Sequence, residues 1–269
     1  MTSWTVKRPE SFEFDEVKAL RVRLIGGSVA VLASDERPAV SVTAIDGRPL
    51  VISHSDGVLT VAYEELSWDH LLEWLHPHSH RAEVTVTVPV GCDVQLGVVS
   101  ASALVSGLSA GATVKSISGP ITLDGVSGDV TARSVSGDVA ARDVDGAVRF
   151  ESVSGDLTLA DGMLRSLRAE TVNGDIFADA ELAAAGSVQV TNVSGKVTLR
   201  LPADTDAKVR LNTMSGKIIS DFASLRSVRS PASRSVSGEV GAGSGQLSVT
   251  SVSGPVTLLR RAKVESEIR

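Results

Sequence analysis

The sequence predicts an all-β fold: a β-solenoid (β-helix-like) stack with about 18–22 residues per coil. Three observations carry that expectation. A short motif, [Ser/Thr/Asn]-[Val/Ile/Met]-[Ser/Asn]-Gly-x-[Val/Ile/Leu], recurs through the second half of the chain. Apolar and polar residues alternate between its copies, the period-2 signature of strands with one buried face. Hydrophobic residues are 42% of the chain but aromatics only 3%. The core must therefore come from Val, Leu, Ile and Ala, which suits thin, regular β layers.

The motif places corner glycines at Gly119, Gly137, Gly155, Gly174, Gly195, Gly216, Gly238 and Gly254, spaced 16 to 22 residues apart. A second set, Val126-Ser127-Gly128 and Val144-Asp145-Gly146, falls midway between the first copies. The resulting nine-residue period is half of one coil. Stacking the coils in chain order predicts two inward ladders. One is Ile117, Val135, Val153, Val172, Val193, Met214, Val236 and Val252. The other is Ile121, Val139, Leu157, Ile176, Val197, Ile218, Val240 and Val256. Between them runs a small polar row: Ser118, Ser136, Ser154, Asn173, Ser194, Ser215, Ser237 and Ser253. The glycines take the bend, where a Cβ does not fit. Residues 201–208 and 222–235 are expected as loops that lengthen some coils. Asn173-Gly174 is also a type I′ hairpin signal, so antiparallel hairpins repeating every nine residues are the alternative. The solenoid is preferred because the coil-length period persists after the nine-residue one fades.

Residues 1–100 lack the motif but read as short strands at 17–24, 28–32, 40–44, 50–53, 58–63 and 82–88. Turns fall at Gly26-Gly27, Asp46-Gly47 and Asp56-Gly57. They are expected as irregular first coils that cap an end, since an open solenoid end exposes unpaired backbone. Residues 101–259 form the regular repeat, and 260–269 a charged tail, helical or disordered. The whole reads as one continuous domain.

Net charge is −6 with both signs dispersed, and no basic block points to nucleic acid. Cys92 is the only cysteine, so no intrachain disulfide forms. No export signal and no apolar run of about 18 residues is visible. The expected location is the cytoplasm, or outside the cell if the N-terminus is truncated.

Asp138, Asp156 and Asp175 follow their glycines on successive coils and raise the question of Ca²⁺. The row continues as Lys196, Lys217 and Glu239, which favours solvated turn residues. Ser116, Ser134 and Ser152 beside Ser118, Ser136 and Ser154 form a hydroxyl array that suits turns or, less directly, glycans. His70, His76, His78 and His80 crowd together, but Pro77 interrupts them and no further ligand completes a zinc site. "ELSWDHLLEWLH" (65–76) is expected as a short helix with Ser67 as N-cap. Trp68, Leu71, Leu72 and Leu75 share one face with Trp74 beside it, a cap helix or an interaction patch. No phosphate loop, nucleophile elbow or metalloprotease helix is present, and no cofactor or metal is expected.

The tandem "VSGDVTARSVSGDVAARDVDGAV" and the opening "RVRLIGGSVAVLASDERPAVSVTA" resemble a bacterial β-strand-repeat family of unknown function. Its members are labelled adhesin-like or toastrack domains, and the actinobacterial ones look most similar. The resemblance covers about residues 15 to 258. It implies a β-solenoid-like domain near cell-envelope stress and regulatory systems, and brings no catalytic residues. The leading expectation is a non-catalytic scaffold or interaction module that binds a protein partner or itself. An adhesin-like extracellular module is the alternative, and a carbohydrate-active β-helix enzyme stands behind both.

Overall fold

The computed structural model describes residues 2–63, 80–230 and 233–261. Among them every regular element is a strand, and the fold is the expected all-β solenoid. The helix expected over 65–76 lies outside the described residues. Of the tail expected over 260–269, Arg260 and Arg261 belong instead to the strand Val256–Arg261, and the remainder lies outside the described residues. No helix of the described residues is long and apolar enough to cross a membrane. Contacts divide the chain into two compact units, residues 1–138 and 139–269.

Unit 1 contains β1 (Thr2–Val6), β2 (Glu10–Glu13), β3 (Ala19–Leu24), β4 (Gly26–Ala33), β5 (Ala39–Asp46), β6 (Leu50–Ser55) and β7 (Val58–Tyr63). It continues with β8 (Arg81–Val88), β9 (Asp93–Val98), β10 (Ser102–Ser106), β11 (Ala112–Ser116), β12 (Ile121–Val126) and β13 (Val130–Ser134). They pair in two stacks. One runs β2-β5-β8-β4-β10-β12. The other runs β1-β6-β7-β3-β9-β11-β13. Coil-to-coil neighbours are parallel, whereas β5, β2, β6 and β1 add antiparallel strands at one end. The reversal of β6 on β7 comes from Asp56-Gly57, both at positive φ, which close that two-residue hairpin. Val22, Leu96, Val114 and Ala132 lie in register across four strands, none more than 3% exposed. At the antiparallel end Trp4 packs on Phe12 and Phe14, ring centroids 5.6 and 5.8 Å away, and Phe14 on His54 at 5.3 Å. These aromatics close the core where the coils stop.

Unit 2 contains β14 (Val139–Val144), β15 (Gly146–Ser152), β16 (Leu157–Asn173), β17 (Ile176–Ser194), β18 (Val197–Pro202) and β19 (Ala207–Thr213). It continues with β20 (Ile218–Ser220), β21 (Arg226–Ser230), β22 (Ser233–Val240), β23 (Gly245–Ser251) and β24 (Val256–Arg261). The long strands β16 and β17 bend so that each half serves a different stack. The first halves lie in β14-β16-β17-β18-β24-β20. The second halves lie in β15-β16-β17-β23-β19-β22-β21, where only the last two pairings are antiparallel. β16 and β17 run parallel on both sides of Asn173-Gly174, so that dipeptide turns a coil corner and closes no hairpin.

Chain order and stack order differ in both units. β3 lies between β7 and β9, and β4 between β8 and β10. Likewise β23 lies between β17 and β19, and β24 between β18 and β20. The second expected ladder therefore reads Val139, Leu157, Ile176, Val197, Val256, Ile218, the first five no more than 1% exposed. Residues 222–235 are not simply a loop: they supply β21 and the start of β22. Gly238 turns no corner and sits inside β22 opposite Val209.

Asp179 ties the inserted strand in place. Its carboxylate, 5% exposed, accepts from Arg200 of β18 through Nε at 2.8 Å and through Nη2. It also meets Arg261 of β24 at 3.4 Å, while Arg261 reaches Glu181 at 2.6 Å. The bond to Asp179 raises Arg200 above its ordinary value, outweighing partial burial.

Candidate interaction surface

In both units the motif folds the same way, and not as a simple alternation, at every copy except that of Gly238. Its first residue points inward: Ser116, Ser134, Ser152, Thr171, Asn192, Thr213 and Ser251 are all at most 9% exposed. Five of these small polar side chains bond the corner backbone from inside, while Ser134 Oγ and Thr171 Oγ1 are buried without a hydrogen-bond partner among the described residues. Ser152 Oγ accepts the Gly155 N–H at 2.8 Å, Thr213 Oγ1 that of Gly216 at 3.0 Å, and Ser251 Oγ that of Gly254 at 3.0 Å. Asn192 Nδ2 donates to the carbonyls of Gly174 and Gly195, both at 3.2 Å. These are side-chain-to-backbone turn bonds of the kind Ser, Thr and Asn make.

The glycine points inward too, against the rung below. A Cβ on Gly195 would overlap the carbonyl of Gly174, on Gly254 that of Gly195, and on Gly216 that of Gly254. This close approach is why the motif requires glycine there. Gly119 and Gly137 do the same in unit 1, on Ala101 and Gly119.

With both ends of the corner turned inward, the two residues between them face out. This overturns the first expected ladder. In unit 2 Val153 is 50% exposed, Val172 50%, Val193 42%, Val252 40% and Met214 61%, and in unit 1 Val135 is 47% exposed. Val236 is buried, but in β22 rather than at a corner. The outer Ser residues beside these positions are engaged with the neighbouring rung. Ser118 donates to Val99 O and Ser136 to Ile117 O, both at 3.2 Å; Ser253 donates to Val193 O at 3.1 Å and Ser215 to Val252 O at 3.3 Å. The hydroxyl array thus staples rungs together.

The Asp row does similar work. Asp156 Oδ1 accepts the Asp175 N–H, and Asp175 Oδ1 the Lys196 N–H, both at 2.7 Å. Among the described residues no three His, Cys, Asp or Glu gather as metal ligands. Trp68, Leu71, Leu72, Trp74 and Leu75, with His70, His76 and His78, lie outside the described residues.

What the corner leaves uncommitted is apolar. Ordered as the rungs stack, Val153, Val172, Val193, Val252 and Met214 form a strip along one edge of unit 2. At about 4.8 Å per rung the strip is roughly 20 Å long. Sequence reasoning missed it because it carried strand alternation through the bend. The available signal was the restriction of the preceding position to Ser, Thr or Asn, which suits an inward turn bond rather than a solvated site.

Comparison with known families shows that the Toastrack DUF4097 model matches residues 17–259. No curated protein matches the chain. Among solved structures, the chain is similar to a "putative adhesin" from Bacteroides fragilis, with 11% identity, TM-score 0.48, and 96% of this chain and 97% of that one covered. A "putative lipid binding protein" from Parabacteroides distasonis shares 13% identity at TM-score 0.47, with 94% and 97% covered. A "putative adhesin" from the same species shares 12% at TM-score 0.45, with 96% and 97% covered. These three come from Bacteroides and Parabacteroides and a further neighbour from Clostridium sporogenes, so the expected actinobacterial likeness is unsupported.

Proposed function

The chain belongs to the Toastrack DUF4097 family, and on that premise we propose that it is a non-catalytic interaction module. Unit 2 binds a protein partner along the corner strip of Val153, Val172, Val193, Val252 and Met214. The observation that carries this reading is the 40–61% exposure of these five apolar side chains on successive rungs. A contiguous exposed apolar strip bordered by polar residues is the usual mark of a contact surface. The hydroxyls and carboxylates around it support the same reading, since the bonds they make hold the corner together.

The test is a Val172→Asp/Val193→Asp double variant. Both positions face solvent, so folding should be retained, as checked by circular dichroism and urea titration. Two carboxylates in the strip would resist desolvation against an apolar partner. Quantitative capture from the native host, with sedimentation velocity for self-association, should show a partner or dimer lost by at least about tenfold, or 1.4 kcal/mol. A folded variant with the same partners and the same oligomeric state would overturn the proposal.

A further inference from the structure

Unit 1 carries a second surface of opposite chemistry. β3, β9 and β11 are adjacent parallel strands, and their outer faces are in register. One outer column is Arg23, Gly97, Lys115; the next is Arg21, Gln95, Thr113. Gly97 has no side chain to fill the space between its two cationic neighbours. The result is a groove of about 190 Å³ lined by Arg21, Arg23, Gln95, Gly97, Thr113 and Lys115. A carboxylate on the same face, Asp93, lies at the start of β9 and takes a hydrogen bond from the Gln95 amide at 3.5 Å.

We propose that this groove binds a phosphate-class oxyanion, seated over Gly97 between Arg23 and Lys115. The two cations stand two rungs apart, about 10 Å between their Cα atoms. They cannot fill each other's space, yet their long side chains can converge on one tetrahedral anion. Arg21 supplies a third cation from the next column, and Gln95 and Thr113 supply neutral donors at the rim. Guanidinium and ammonium groups make charge-assisted bonds to such oxygens. The groove has room for one phosphate or sulfate group with part of its hydration shell. This fits a single anionic group on a small molecule or a lipid headgroup.

The experiment titrates the isotopically labelled full chain with inorganic phosphate at constant ionic strength and follows backbone amide shifts. The expected result is a saturable response at Gln95, Gly97, Thr113 and Lys115, with a dissociation constant on the order of 1 mM. Lys115→Glu and Arg21→Glu, both at exposed positions, should each weaken it at least tenfold with the rest of the spectrum unchanged. Lys115→Gln should weaken it less than Lys115→Glu. Co-sedimentation with phosphatidylglycerol vesicles, against phosphatidylcholine, separates the sources. Binding lost in Lys115→Glu assigns a headgroup, and phosphate binding without vesicle binding assigns a free anion. Shifts that do not saturate, or that persist in both charge reversals, overturn the proposal whatever the vesicles show.

Discussion

Replacing Val172, Val193 and Val252 together by Thr separates two opposite placements of the corner. If these valines pointed inward, each threonine would bury a hydroxyl without a partner, at about 1–3 kcal/mol apiece. The triple variant would then lose about 3–9 kcal/mol, enough to unfold many domains. In the structure they are 50%, 42% and 40% exposed. The hydroxyls remain hydrated, and the branched Cβ that favours a strand is kept. Each change should stay within about 0.5 kcal/mol, or about 1.5 kcal/mol for all three. The internal standard is Val197→Thr, whose side chain is 0% exposed in the core ladder and should alone lose about 1–3 kcal/mol. Urea unfolding, with slopes of about 1–3 kcal/mol/M, should show the triple variant losing at most about 1.5 kcal/mol and less than twice what Val197→Thr loses. A triple variant that loses more than twice as much as Val197→Thr would refute the outward placement of the strip.

Other expectations follow from particular contacts. Gly254→Ala drives a Cβ into the Gly195 carbonyl, and strain of this kind costs about 1–3 kcal/mol; Gly91→Ala, where a Cβ meets nothing within 4 Å, should leave the thermal midpoint unchanged. Burial alone would raise the Asp206 carboxyl, but bonds from Ser244 Oγ and from the N–H groups of Gly243, Ser244 and Ala242 hold it below its ordinary 3.8. A lowered carboxyl stabilises the fold above its unfolded value and loses that effect as pH falls through its folded value. The stability gap between wild type and Asp206→Ala should therefore be full at pH 7 and vanish well below pH 4, and a gap independent of pH would contradict the assignment. Burial, then the charge of Asp93, push the Cys92 thiol up to about 11 against a weaker opposing bond to Leu20. At pH 8 its thiolate fraction is roughly 100-fold below that of a free thiol, so iodoacetamide should label native protein at least that much more slowly than protein in urea.

The strands of residues 17–88 were legible because hairpin and coil strands share the same alternation and the same turn residues. β6–β7 closes at Asp56-Gly57 as its two-residue turn signal requires. The inner ladder from Val139 to Val197 was legible for the same reason, one apolar residue two places beyond each glycine. The corner was not, because alternation fails where inward bonds from residues such as Ser152 and Thr213 pull two polar or small positions to the same side. Rung order was not legible either. The motif around Gly254 is nearly identical to its relatives, so nothing local says that it stacks on Gly195 and beneath Gly216. Gly238 matches the motif and yet lies mid-strand, since β22 pairs antiparallel with β19. The basic groove escaped notice because Arg23, Gly97 and Lys115 become neighbours only through strand register.

The placement of β23 and β24 bears on how the molecule is made. A ribosome releases β17, β18 and β19 before the segment that must separate them exists. The gap therefore stays open through the synthesis of about fifty residues counted from β19 to β24, with two sets of strand edges presented to solvent. If β19 met β17 directly in that interval, parallel pairing of similar aliphatic ladders would form a misassembled stack that the late segment could not enter. Such long-range closure is slow and exposes edges to other chains. Asp179 offers a register mark for the late arrival, because only the correctly seated β24 brings Arg261 to it. Yield of folded protein, more than equilibrium stability, is where loss of that contact would be felt first.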